Sequence, residues 1–109
     1  MTELKENPKL QDFQAHVKAF CEANGWNKNS STELFLLFME EVGELAKAMR
    51  NAKGLYQEEA KKHKKFELEE EFADVFSYLL DLANHFDVDL EKAYRMKHEI
   101  NEKRVWKDK

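Results

Sequence analysis

The sequence predicts an all-α fold, a four-helix bundle-type subunit. Three observations carry that expectation. Helix breakers are rare, with one Pro and three Gly in 109 residues, against a background rich in Glu, Lys, Leu and Ala. Apolar residues recur at three- and four-residue spacings along four separate stretches. Most of those stretches are bounded by capping or breaking residues. The length makes one domain the default, here residues 9–109, with residues 1–8 as a flexible polar arm.

Lys9 to Asn24 reads as the first helix. Leu10, Phe13, Val17, Phe20 and Cys21 form its apolar face, and Gly25 ends it. Cys21 reads as a small core residue, since no basic group is seen to activate it. His16 stands beside the stripe, at the surface or edge. Trp26, in the polar loop that follows, has two readings: a plug for the bundle end, which is the simpler one, or a stacking surface for a nucleobase.

Ser30 with Glu33 forms a capping box that opens the second helix, which runs to about Asn51. Leu34, Leu37, Phe38, Leu45 and Ala48 define its stripe. Glu41 falls inside that stripe, and Glu44 sits three residues on, beside Leu45. Gly43 between them costs up to ~1 kcal/mol relative to Ala. It lets a backbone or ligand come close, or it allows tight helix packing. Gln57 to Lys65 is polar all round and reads as a loose helix or a mobile loop. Its four lysines and one histidine could attract an anionic substrate, although such a run is more commonly a solvated connection.

Phe66 to Phe86 reads as the third helix. Leu68, Phe72, Val75, Leu79, Leu82 and Phe86 keep the core periodicity, and Phe76, Leu80 and Ala83 widen it. Glu71 interrupts the apolar side, Asp74 flanks it, and Asp81 follows on the same edge as Asp74. Asp89 is a good N-cap for the fourth helix, Leu90 to about Trp106. There Lys97, Asn101 and Arg104 line one edge, at spacings of four and three. That edge could hold phosphates, or it is a solvated helix end whose basic residues suit the macrodipole.

The formal net charge of -4 argues against a general polyanion binder, so no nucleic-acid partner is expected. A lone cysteine cannot form an internal disulfide and fits a reducing cytoplasm. Residues 1–8 show no secretory pattern. No run of about 18 apolar residues exists, so no membrane span is expected. A short chain this charged buries a small core, and self-association would add buried surface.

The chemistry lies in Glu41, Glu44, Glu71 and Asp74. Two i, i+3 pairs on two helices bring four carboxylates together if those helices pack antiparallel. Such groups cannot all stay ionised in a dry crevice without cations. Oxygen-only ligands favour Mg²⁺ or Mn²⁺, and no His is placed to suggest zinc or di-iron. Glu40 points about 100° away around the helix. It could reach a water at the site as general base, or it is a surface glutamate.

Glu40-Glu41-Val42-Gly43-Glu44, then 26 intervening residues, then Glu71-Phe72-Ala73-Asp74, resembles the EExxE…ExxD signature of MazG-like nucleoside triphosphate pyrophosphohydrolases. Asp87 to Ala93 is similar to the family's turn into its last helix, and Lys97 to Arg104 to its Lys-x-x-x-Asn-x-x-Arg segment. The resemblance implies an all-α dimer or dimer of dimers, with Mg²⁺ on Glu41, Glu44, Glu71 and Asp74. It implies hydrolysis of a nucleoside triphosphate, including deoxy or modified ones, to the monophosphate and pyrophosphate. Metal ions would neutralise the triphosphate and lower the pKa of the attacking water. Glu40 would orient or deprotonate that water, Lys97, Asn101 and Arg104 would contact phosphate or sugar, and Trp26 would stack on the base. The chain departs from many relatives in lacking a His in the loop before the second helix, and in its long, lysine-rich connection. Two other functions stay open: a related phosphoribosyl-ATP pyrophosphatase, or a non-enzymatic helical module whose acidic faces bind a basic partner.

Overall fold

The computed structural model describes residues 3–55 and 65–104. Among the described residues there are four helices, α1 (Leu10–Ala23), α2 (Ser31–Ala52), α3 (Lys65–His85) and α4 (Leu90–Lys103). No strand occurs among the described residues. The architecture is all-α, as composition and periodicity predict.

Local chemistry sets most of the boundaries. The Lys9 N–H donates to Asp12 Oδ2 at 2.8 Å and starts α1. Gly25, with φ of 70°, turns the chain after it in the left-handed region that favours glycine. At α2 the capping box is reciprocal: the Glu33 N–H donates to Ser30 Oγ at 3.1 Å, and the Ser30 N–H donates to Glu33 Oε1 at 2.8 Å. The Lys92 N–H donates to Asp89 Oδ1 at 3.1 Å at the head of α4. The helix ends at Lys103, short of the expected Trp106, because Arg104 is already extended.

The central element is α3, which packs most extensively on α2 and less so on α1, while α4 rests on α1. Phe13 meets Phe76 edge-to-face at 5.5 Å across the α1–α3 seam. Among the described residues the buried hydrophobic core is thin: Leu34, Ala48, Leu80 and Ala83. One expectation about this core is corrected. In α3 the residues predicted only to widen the stripe, Leu80 and Ala83, are the buried ones. Phe72, Leu79 and Phe86 are exposed at 54%, 42% and 65%. Apolar residues cover much of the circumference of α3, and α1 and α2 between them cover only part of it.

A polar latch ties α1 to the α3–α4 turn. Gln14, 8% exposed, donates from Nε2 to the Val88 carbonyl at 2.8 Å and to Asn84 Oδ1 at 3.2 Å. Its Oε1 accepts from the Leu90 N–H at 2.9 Å, and Asn84 Nδ2 donates to the Gln14 carbonyl at 2.9 Å. Gln14→Ala strands several of these groups at once, so a loss of ~1–3 kcal/mol is expected in urea unfolding. An unchanged midpoint would remove the latch from the account of how α4 is held. No described helix is long and apolar enough to cross a membrane.

Candidate active site

Glu41 of α2 and Glu71 and Asp74 of α3 each bring a carboxylate oxygen to within 4.8 Å of the others. Glu71 and Asp74 share a face because they are three residues apart, and the α2–α3 contact presents Glu41 to them. Glu41 and Glu71 are half-buried, and Asp74 is exposed. One oxygen, Glu71 Oε2, is buried with no hydrogen-bond partner. A buried carboxylate oxygen without a donor is costly unless a cation meets it. The three carboxylates therefore fit a hard, oxygen-preferring ion.

The crowding shows in protonation. Burial, then the Asp74 charge, then Glu71 and Glu44, hold Glu41 above the usual carboxylate range. Burial, then Asp74 and Glu44, do the same for Glu71. A carboxyl whose folded pKa lies above its unfolded value binds more protons in the folded state. Its stabilising contribution is complete at low pH and is lost as pH rises through the folded pKa. The metal-free protein is therefore expected to melt at a lower temperature at pH 7 than at pH 5, and millimolar Mg²⁺ should recover the difference at pH 7. Calorimetry at the two pH values, with and without metal, reads both. A melt that metal leaves unmoved would argue against an ion at this cluster.

Glu44 is exposed and outside the three-oxygen set, although its charge is felt at Glu41 and Glu71. Glu40 is exposed and also outside the set. A Cβ added at Gly43 would meet nothing within 4 Å, so neither close approach nor tight packing explains that glycine within one chain.

A cavity of about 620 Å³ opens beside the cluster, a size typical of small-molecule sites. Glu41 and Asp74 form its acidic end, and Leu34, Leu37, Ser77 and Tyr78 line its walls. His16, Phe20, Cys21, Trp26, Asn29 and Asp81 complete it. Trp26 is 56% exposed and meets Phe20 edge-to-face at 5.6 Å, so it lines the cavity instead of plugging a core. His16 stacks on Phe20 with centroids 6.5 Å apart. Cys21 Sγ donates to Asp81 Oδ2 at 3.7 Å. Burial, then Asp81, pushes the thiol up to about 11, which suits the expected inert role. Burial also raises Asp81, against the opposing pull of His85 and the Cys21 bond. Burial raises the Tyr78 phenol, with Glu41 and Asp74 adding to it.

Lys97 and Arg104 are exposed and Asn101 is half-buried, all at the α4 end, and none of them lines this cavity. The lysine-rich connection, Gln57 to Lys65, lies outside the described residues apart from the backbone of Lys65. Sequence periodicity did not single out Tyr78 or Ser77. The available signal was spacing, since both follow Asp74 by three or four residues along one helical face.

The described residues thus form an all-helical protein in which carboxylates from two helices gather at the edge of a cavity of small-molecule size. The family model of the MazG nucleotide pyrophosphohydrolase domain matches residues 29–106, and the chain belongs to that family. It is 32% identical over 93 residues to the uncharacterized protein YpjD of Bacillus subtilis (strain 168), covering 84% of this chain and 83% of YpjD. It is 32% identical over 100 residues to the uncharacterized protein YvdC of the same organism, covering 87% of this chain and 94% of YvdC. Membership implies nucleotide pyrophosphohydrolase activity in general, and MazG-type enzymes generally use divalent metals.

Proposed function

We propose that the protein is a Mg²⁺-dependent hydrolase that converts a nucleoside triphosphate to its monophosphate and pyrophosphate, serving the cytoplasmic nucleotide pool. The observation that carries this reading is the convergence of Glu41, Glu71 and Asp74, with a partnerless buried oxygen on Glu71, beside a cavity that Glu41 and Asp74 line. A triphosphate cannot approach three carboxylates without cations between them. Glu41, Glu71 and Asp74, with Glu44 nearby, would hold Mg²⁺ or Mn²⁺. Once bound, the ion neutralises phosphate charge and makes water a better nucleophile. Glu40 is the residue proposed to orient or deprotonate the attacking water at the α–β phosphoanhydride. The base stacks against Trp26, whose exposed ring leaves a face open. Lys97, Asn101 and Arg104 would meet phosphate or sugar.

The active form is proposed to be a dimer or dimer of dimers of a single domain, residues 9–109, preceded by a flexible arm. Support comes from the apolar area left open in one chain. Phe35, Leu36 and Met39 on α2, Phe72 and Leu79 on α3, and Phe86 just after α3, are all exposed. Such area marks an interaction surface.

Pyrophosphate release should be followed over ribo-, deoxy- and modified triphosphates and phosphoribosyl-ATP, with Mg²⁺, Mn²⁺ or chelator. Metal-dependent release from a nucleoside triphosphate is expected. Release from none of them, or release undiminished by chelator, would end this reading.

A further inference from the structure

The cavity has a second acidic residue group of one, Asp81, at a distance from the metal cluster. Asp81 follows Asp74 by seven residues on α3, so the two stand ~10 Å apart along the helix axis. That is about the reach from the reacting phosphates across a sugar to a base. Asp81 is outside the three-oxygen set. Its side chain is only 16% exposed, and its partners hold it weakly. Cys21 offers a thiol, a poor donor, to Oδ2 at 3.7 Å, and His85 Nε2 lies 3.9 Å from Oδ1. A carboxylate has about four acceptor positions, so most of its capacity remains unused. A mostly buried carboxyl with spare acceptor capacity at the wall of a ligand cavity suits a ligand that brings N–H donors.

On the reading that this cavity takes a nucleotide, we propose that Asp81 is a specificity-determining residue that reads the base. It selects bases with an amino group at pyrimidine C4 or purine C6 (cytosine, adenine) over bases that present a carbonyl there (uracil, thymine, guanine, hypoxanthine). An amino group donates to the carboxylate. A carbonyl oxygen sets acceptor against acceptor, and a buried acceptor left facing another is the arrangement that discriminates most strongly between isosteric ligands. Trp26 and Tyr78, both lining the same cavity, give apolar faces that any base can use, so they add affinity without choosing.

The test uses pairs that differ mainly at that group: cytosine against uracil, and adenine against hypoxanthine. Pyrophosphate release is measured for the four deoxynucleoside triphosphates, and binding is measured for the four monophosphates by calorimetry without metal. The amino-bearing member of each pair should be favoured by at least ~10-fold in kcat/KM and in affinity. Asp81→Asn, whose amide can donate to a carbonyl, should bring the cytosine-to-uracil ratio to near one or below while hydrolysis of the uracil nucleotide persists. Equal use and equal binding within both wild-type pairs overturns the proposal, as does an unchanged ratio in Asp81→Asn. If that variant fails to fold, the wild-type pairs still decide. Hydrolysis without amino preference defeats only this inference. No hydrolysis of any triphosphate defeats the pyrophosphohydrolase reading, and the monophosphate affinities then judge Asp81 alone, with no binding counting against it.

Discussion

Glu41→Gln is expected to lower kcat/KM for triphosphate hydrolysis by about 10³-fold, equivalent to about 4 kcal/mol of transition-state stabilisation. The substitution keeps the size and helix propensity of the side chain and removes one negative charge. Glu41 is the only α2 member of the three-oxygen set, so its loss leaves two ligands from a single helix. The same change relieves repulsion, because Asp74, Glu71 and Glu44 all press on Glu41. The metal-free variant should therefore melt no lower than the parent at pH 7, and its gain from added Mg²⁺ should shrink. This pairing of lost turnover with retained stability separates a ligand role from a folding role. Activity within threefold of the parent would remove Glu41 from the site.

Leu80→Ala is expected to cost ~2–5 kcal/mol in urea unfolding, the range for truncating a buried leucine. Leu80 is 1% exposed on the helix that both α1 and α2 pack against. With so few buried apolar side chains among the described residues, no neighbouring cluster can take up the load. A loss of that size is a large fraction of the stability of a typical small domain. Phe72→Ala serves as the contrast. Phe72 is 54% exposed in one chain, so its truncation should cost little in a dilute monomer. If α3 faces a second copy, the cost should be larger and should grow with protein concentration. A Leu80→Ala midpoint close to the parent would show that the α1–α2–α3 junction is not the core.

The helix starts were legible because their causes are local. Ser30 and Glu33 lie three residues apart, and Asp89 lies three residues before Lys92, whose N–H it accepts, so each cap can form before any tertiary contact exists. The Glu41 and Glu71 positions were legible for a related reason: a charge inside an apolar stripe conflicts with its surroundings unless something answers it. The buried side of α3 was not legible. Its apolar residues span too much of the helix for period alone to say which would be covered, and Leu80 with Ala83 took the place expected for Phe72 and Phe86. Gln14 gave no signal either, because a polar residue on an amphipathic helix looks solvated until the backbone groups at Val88 and Leu90 arrive beside it.

The sequence by itself determined four helices, the N-caps of α2 and α4, membership of a family and the identity of its acidic motifs, because each depends on residues within a few turns of one another or on motif spacing. Only the tertiary structure decided that Glu41 joins Glu71 and Asp74, that Trp26 and Asp81 share one cavity, and that much apolar surface stays open. Those facts depend on how α2 and α3 are set against each other, and helical period fixes the faces of a helix without fixing which neighbour each face meets.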